Sequence, residues 1–126
     1  MRILIVEDEY VSLTKMKAIF SEIGKCDLAS NGKEALDLFH RAYLESTRYD
    51  LITIDIDIPI INGIELLKMI TKDEELLFIP PAKKMVITAS SSVNNVFLAI
   101  ENKCDAYLVK PVKREVLKEK LRTLGC

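Results

Sequence analysis

Leu51-Ile52-Thr53-Ile54-Asp55 is the stretch that decides the fold. Four consecutive aliphatic or β-branched residues give neither face a polar stripe, which suits a strand covered on both sides, as in a parallel sheet. The acid that closes the run then stands at the carboxyl edge of that sheet. Three further runs share this build: Ile3-Leu4-Ile5-Val6 before Glu7 and Asp8, Met85-Val86-Ile87-Thr88, and Ala106-Tyr107-Leu108-Val109 before Lys110. A weaker strand, Cys26 to Ala29, lies between Gly24 and Gly32.

Helical spacing fills the intervals. Leu13, Met16, Phe20 and Ile23 recur every three or four residues, as do Leu36, Phe39 and Tyr43, and Leu117, Leu121 and Leu124. Asn62-Gly63 opens a helix through Leu66, Leu67 and Ile70, and Val93 to Glu101 makes another. Lys72 to Lys84, with Pro80-Pro81, reads as one long loop, and Glu45 to Arg48 as a solvated extension of a second. Five strand-then-helix units predict an α/β sheet with right-handed crossovers and helices on both faces, in one domain over residues 1–126.

Composition narrows the function. Of 126 residues, 49% are hydrophobic and 29% charged, which excludes a disordered chain, a collagen-like repeat and a coiled-coil rod. A net charge of −1 supplies no basic field for nucleic acid or an anionic membrane. Cys26, Cys104 and Cys126 are odd in number and widely spaced, against both a disulfide framework and a zinc site. The run Ile3 to Val6 is too short for a signal peptide or membrane span, so the expected setting is the cytoplasm. His40, the single histidine, is expected on a helix away from the crevice.

Ligands of such sheets bind outside the carboxyl ends of the strands. Glu7, Asp8, Asp55, Thr88 and Lys110 would all face that crevice. Two unit charges about 4 Å apart repel by about 4 kcal/mol at an effective dielectric near 20, so three carboxylates there require compensating cations. Oxygen donors without imidazole or thiolate suit Mg²⁺, and Lys110 adds a second positive charge. A carboxylate so placed can attack a phosphoryl group and form an acyl phosphate. An acidic pair after a strand is alone a solvated turn, and Thr88 alone is an ordinary strand residue. Their joint arrival at one sheet edge is what points to chemistry.

These residues resemble the response-regulator receiver domain of two-component signalling, in its stand-alone chemotaxis type. The matching pieces, in order, are Ile3 to Glu9, Asp50 to Asp55 running on to Pro59 and Asn62-Gly63, Val86-Ile87-Thr88-Ala89, and Tyr107-Leu108-Val109-Lys110-Pro111. The resemblance implies a flavodoxin-like winding with strand order 2-1-3-4-5, and a cis bond between Lys110 and Pro111. It further implies that Asp55 is the phosphoacceptor, served by a histidine kinase or a phosphotransfer protein. Asp8, Asp55 and the backbone carbonyl of Asp57 would hold Mg²⁺, with Glu7 acting largely through water. Thr88 and Lys110 would engage phosphoryl oxygens. Tyr107 would turn inward as Thr88 moves, altering the face of the fourth helix, fifth strand and fifth helix that a downstream protein reads. Such a chain acts as a monomer or a phosphorylation-dependent dimer and is a switch with no turnover of its own beyond self-phosphorylation and self-dephosphorylation. Since no output sequence follows Cys126, output is expected through another protein, unless the chain is part of a longer regulator.

Two departures stand out. Asp57 adds a carboxylate two residues after the acceptor, and Asn102 replaces the usual glycine as the expected left-handed cap before the fifth strand. A rival reading takes Asp55-Ile56-Asp57 as the start of a haloacid-dehalogenase-type phosphohydrolase signature, with Asp55 as nucleophile and Asp57 as general acid. That signature belongs on a first strand, and the chain has no room for a substrate cap. A flavodoxin-like cofactor site would need amides facing an anion after the first strand, where Glu7-Asp8-Glu9 would repel it.

Overall fold

The computed structural model describes residues 1–126. Five strands, β1 (Arg2–Val6), β2 (Lys25–Ala29), β3 (Leu51–Ile54), β4 (Lys83–Thr88) and β5 (Ala106–Val109), alternate with α1 (Tyr10–Phe20), α2 (Gly32–Leu44), α3 (Gly63–Leu76), α4 (Val93–Glu101) and α5 (Arg114–Thr123). All strand pairs are parallel, in the order β2-β1-β3-β4-β5. This is the flavodoxin-like winding expected from the resemblance.

Burial explains the apolar runs. Ile3, Ile5, Leu51, Met85 and Ile87 face α1 and α5, where Met16, Phe20, Leu117 and Leu121 cover them. Leu4, Ile52, Ile54 and Val86 face the other way, onto Phe39 of α2, Leu66 and Ile70 of α3 and Ala99 of α4. Register then fixes the functional edge. Val6 lies opposite Ile54, Ile54 opposite Val86, and Thr88 opposite Val109, so Glu7, Asp55 and Lys110 leave the sheet at one rim. No helix is long and apolar enough to cross a membrane.

The segment read as a loop from Lys72 to Lys84 is mostly regular: α3 continues to Leu76 and β4 begins at Lys83. The extra helical turn escapes periodicity because its inward residue is a carboxylate. Glu74 is 3% exposed and pairs with Lys84, 2% exposed; Glu74 also accepts from the Ala82 amide at 2.8 Å, and Lys84 Nζ donates to the Ala82 carbonyl at 3.0 Å. The pair pins the end of α3 to the start of β4. Two stripe residues fall beyond their helices, Ile23 after α1 and Leu124 at the C-cap of α5. The left-handed cap after α4 is Lys103, at φ 66°, and not Asn102. Asn102 keeps a negative φ because its side-chain amide donates back to the Leu98 carbonyl at 2.9 Å. The Lys110–Pro111 bond is cis.

A buried charge left without its partner is strongly destabilising. Lys84→Met should therefore lower unfolding free energy by about 3–5 kcal/mol in urea titrations. Adding Glu74→Gln, which keeps an acceptor for the Ala82 amide, should restore most of that loss. An equal loss in single and double variants would contradict this role for the pair.

Candidate functional site

Backbone pairing carries the ladder one step past the strands and so aims the site residues. The Glu7 amide donates to the Ala29 carbonyl at 3.0 Å, that of Asp55 to Val6 at 3.1 Å, and that of Lys110 to Thr88 at 2.8 Å. Glu7 is fully buried and Asp55 6% exposed. Lys110 Nζ reaches both, donating to Glu7 Oε1 at 2.9 Å and to Asp55 Oδ2 at 2.8 Å. Asp55 Oδ1 accepts from the Asp57 amide at 3.0 Å. Thr88 is buried at the end of β4.

Three titratable groups thus share one small volume, and each shifts the others. Burial pushes the Glu7 carboxyl up to about 7, helped by the neighbouring Asp55, against the pull of Lys110. Burial raises Asp55 too, but hydrogen bonds with Glu7, Lys110, the Asp57 amide and Thr88 outweigh it and hold the carboxyl below its usual range. Burial would lower Lys110, yet its two carboxylate partners hold the ammonium above its ordinary value. Asp55 is therefore ionised at neutral pH beside a charged lysine, the state a carboxylate nucleophile requires.

Of the residues expected here, Glu7, Asp55, Thr88 and Lys110 converge. Asp8 is exposed, and no three side chains of Asp, Glu, His or Cys close on a common metal point. Glu7 Oε2 is buried without a hydrogen-bond partner. The orphaned Glu7 oxygen and the ionised Asp55 are hard oxygen donors with no imidazole or thiolate beside them, and Asp8 follows Glu7 in the chain with its side chain exposed. This fits Mg²⁺, which keeps several waters and takes few protein ligands. Asp57 offers its carboxylate to solvent and its amide to Asp55. That arrangement, with Asp55 closing the third strand, gives no support to a phosphohydrolase acid–nucleophile pair.

Several contacts around the site were not evident in the sequence. Tyr107 donates its hydroxyl to the Ser90 carbonyl at 2.8 Å, while Ser90 Oγ accepts from Asn95 Nδ2 at 2.9 Å. Ser90 thereby ties the loop after Thr88 to both β5 and the first turn of α4. Its place two residues after Thr88 was the available signal. Glu9, read only as a third acid, is the N-cap of α1, accepting from Val11 and Ser12 amides at 3.1 and 2.8 Å. Gly63 does more than turn the chain: a Cβ there would lie 2.3 Å from the Asp55 carbonyl oxygen and 2.6 Å from Ile56 Cα. His40 is half-exposed on α2 and meets Asp73 at 2.7 Å, away from the site.

Comparison with known proteins agrees with this geometry. Residues 3–122 match the model of the response regulator receiver domain. The chain is 29% identical to the chemotaxis protein CheY of Pseudomonas aeruginosa, over 98% of the chain and 95% of the relative. It is 32% identical to CheY-3 of Vibrio cholerae, over 96% and 88%. It also matches, at 30% identity over 99% of its own length, hybrid signal transduction histidine kinase I of Dictyostelium discoideum, of which it spans only 7%. A CheY-like receiver from Methanospirillum hungatei superimposes with a TM-score of 0.80 at 32% identity, covering 98% of this chain and 91% of that one. A chain of the CheX–CheY–BeF3–Mg²⁺ complex of Borrelia burgdorferi gives 0.87 at 23%, covering 100% and 90%.

Gly63→Ala tests how tightly α3 is seated against the acceptor backbone. Overpacking should lower unfolding free energy by about 1–3 kcal/mol and move the amide resonances of Asp55 and Asp57. An unchanged spectrum and unchanged stability would contradict the close approach.

Proposed function

The chain belongs to the response regulator receiver domain family, and we propose that residues 1–126 act as one phosphoacceptor switch in a cytoplasmic two-component relay. The observation behind this reading is the ionised Asp55 held by Lys110 at the rim of the sheet. A histidine kinase or phosphotransfer protein, or a small acyl phosphate, presents phosphorus to the Asp55 carboxylate. An Asp55 oxygen forms the new P–O bond as the bond to the donor's nitrogen or oxygen breaks, and the leaving group departs with its electron pair. Receivers are signalling domains, and the only chemistry assigned here is gain and loss of that one phosphoryl group.

Asp8, Asp55 and the Asp57 carbonyl are the groups proposed to hold Mg²⁺, with Glu7 acting through water. When bound, the ion neutralises charge on the transferred phosphoryl oxygens. Lys110 supplies the second positive charge, already within 2.8 Å of the acceptor. Thr88 offers its hydroxyl to a phosphoryl oxygen, and that demand displaces the loop reaching to Ser90. Because Tyr107 and Asn95 both hold Ser90, movement at Thr88 biases the packing of α4 and β5. Val93, Phe97 and Ile100 on α4, Val109 on β5 and Val116 on α5 are exposed apolar residues on the face a downstream protein would read. Whether as a monomer or a phosphorylation-dependent dimer, the output is contact with another protein rather than with nucleic acid or membrane.

Incubation with acetyl phosphate and Mg²⁺ should add one phosphoryl group by intact mass, absent in Asp55→Asn; retained labelling in that variant would place the acceptor elsewhere. Asp8→Ala should weaken Mg²⁺ by more than the roughly tenfold loss typical of outer-shell changes. Lys110→Ala, by removing a neighbouring cation, should leave Mg²⁺ affinity equal or higher while abolishing phosphorylation-dependent partner binding. Undiminished metal affinity in Asp8→Ala would overturn the ligand assignment.

A further inference from the structure

Between α1 and the connection from β5 to α5 lies an open cavity of about 440 Å³, on the side of Lys110 away from the carboxylates. Its floor and walls are Met16 and Ile19 of α1, Ile87 of β4, Val112 and Leu117 of α5's approach and first turns. The polar groups lining it are Ser12, Lys15 and Lys110, with no carboxylate among them. That is unusual in a chain whose net charge is −1. Of the two acids that lie two residues from a lining residue, Glu115 is exposed on α5, and Glu9 has its carboxylate turned to the amides of Val11 and Ser12. Lys110 directs its ammonium to Glu7 and Asp55, while exposed Lys15 enters none of the molecule's ion pairs.

An apolar hollow of this size, edged by the Ser12 hydroxyl and the unpaired ammonium of Lys15, has the form of a small-molecule site. The sign of its polar groups selects the ligand: an apolar body against Ile19, Ile87 and Leu117, and an anionic head beside Lys15 and Ser12. We propose that this cavity binds a small amphipathic carboxylate, of the size of one or two fused aromatic rings. The inference goes beyond the switch reading and does not require Asp55 to accept phosphate. Its occupant would rest on the stem of Lys110 and on the cis peptide connection that carries it, and so would touch the site from behind.

The test is a titration of 2-naphthoate into ¹⁵N-labelled, unphosphorylated protein without Mg²⁺. Saturable shifts are expected at the amides of Val11, Ser12, Ile87 and Leu117, with a Kd of about 1 mM or tighter. Lys15→Glu, on an exposed position that leaves the fold intact, should weaken binding at least tenfold. The neutral analogue 2-naphthylmethanol should bind several-fold more weakly than the acid. Absence of saturation, shifts that map instead to α4 and β5, or equal binding of acid and alcohol would each overturn the proposal. Because no phosphodonor is present, failure here leaves the Asp55 labelling experiment untouched, and the reverse holds.

Discussion

The ammonium of Lys110 sits between two carboxylates that come from different strands, and the rest of the site depends on that placement. Glu7 and Asp55 are brought together because β1 and β3 are hydrogen-bonded neighbours in register. Their mutual repulsion, about 4 kcal/mol for charges about 4 Å apart at an effective dielectric near 20, would otherwise force one of them to take up a proton or turn away. Lys110 reaches them from two strands further along the sheet, from the edge strand β5. One cation for two acids leaves the deeper acid, Glu7, with its affinity for a proton raised and leaves Asp55 ionised. The residual demand for positive charge is what makes a divalent ion a natural further occupant.

The same constraint underlies the proposed switch. A cluster that is one positive charge short of balance would respond strongly to an added phosphoryl group and its metal. The response has a mechanical route, since the Thr88 loop is fastened through Ser90 to Asn95 on α4 and to Tyr107 on β5. Rearranging charge at the rim therefore competes with hydrogen bonds that set the packing of the neighbouring face. The apolar side chains exposed on that face give a partner something to grip.

Much of this was legible in the amino-acid order. Parallel strands buried on both sides announce themselves as short apolar runs, and the charged residues that follow three of them, Glu7, Asp55 and Lys110, mark the rim where they meet. Most of what escaped had a common cause: polar side chains doing structural work. The last turn of α3 looked like loop because Glu74 is its inward residue, and its partner Lys84 opens the next strand. Asn102 looked like a left-handed cap, yet its amide found the Leu98 carbonyl and passed the positive φ to Lys103. Ser90 and Asn95 were invisible because a hydroxyl in a loop and an amide off the apolar stripe of α4 add nothing to hydrophobic periodicity. Gly63 was read as opening α3, which it does, but the sequence did not show that its missing side chain lets α3 touch the acceptor's own backbone.

The most direct measurement is a crystal structure grown with Mg²⁺ and beryllofluoride, which mimics a bound phosphoryl group. The account predicts beryllium on an Asp55 carboxylate oxygen, the metal between Asp55, Asp8 and the Asp57 carbonyl, and Lys110 moved onto a fluoride. Beryllofluoride on any other residue, or a structure in which Lys110 stays paired to Glu7 with no metal at Asp55, would contradict it.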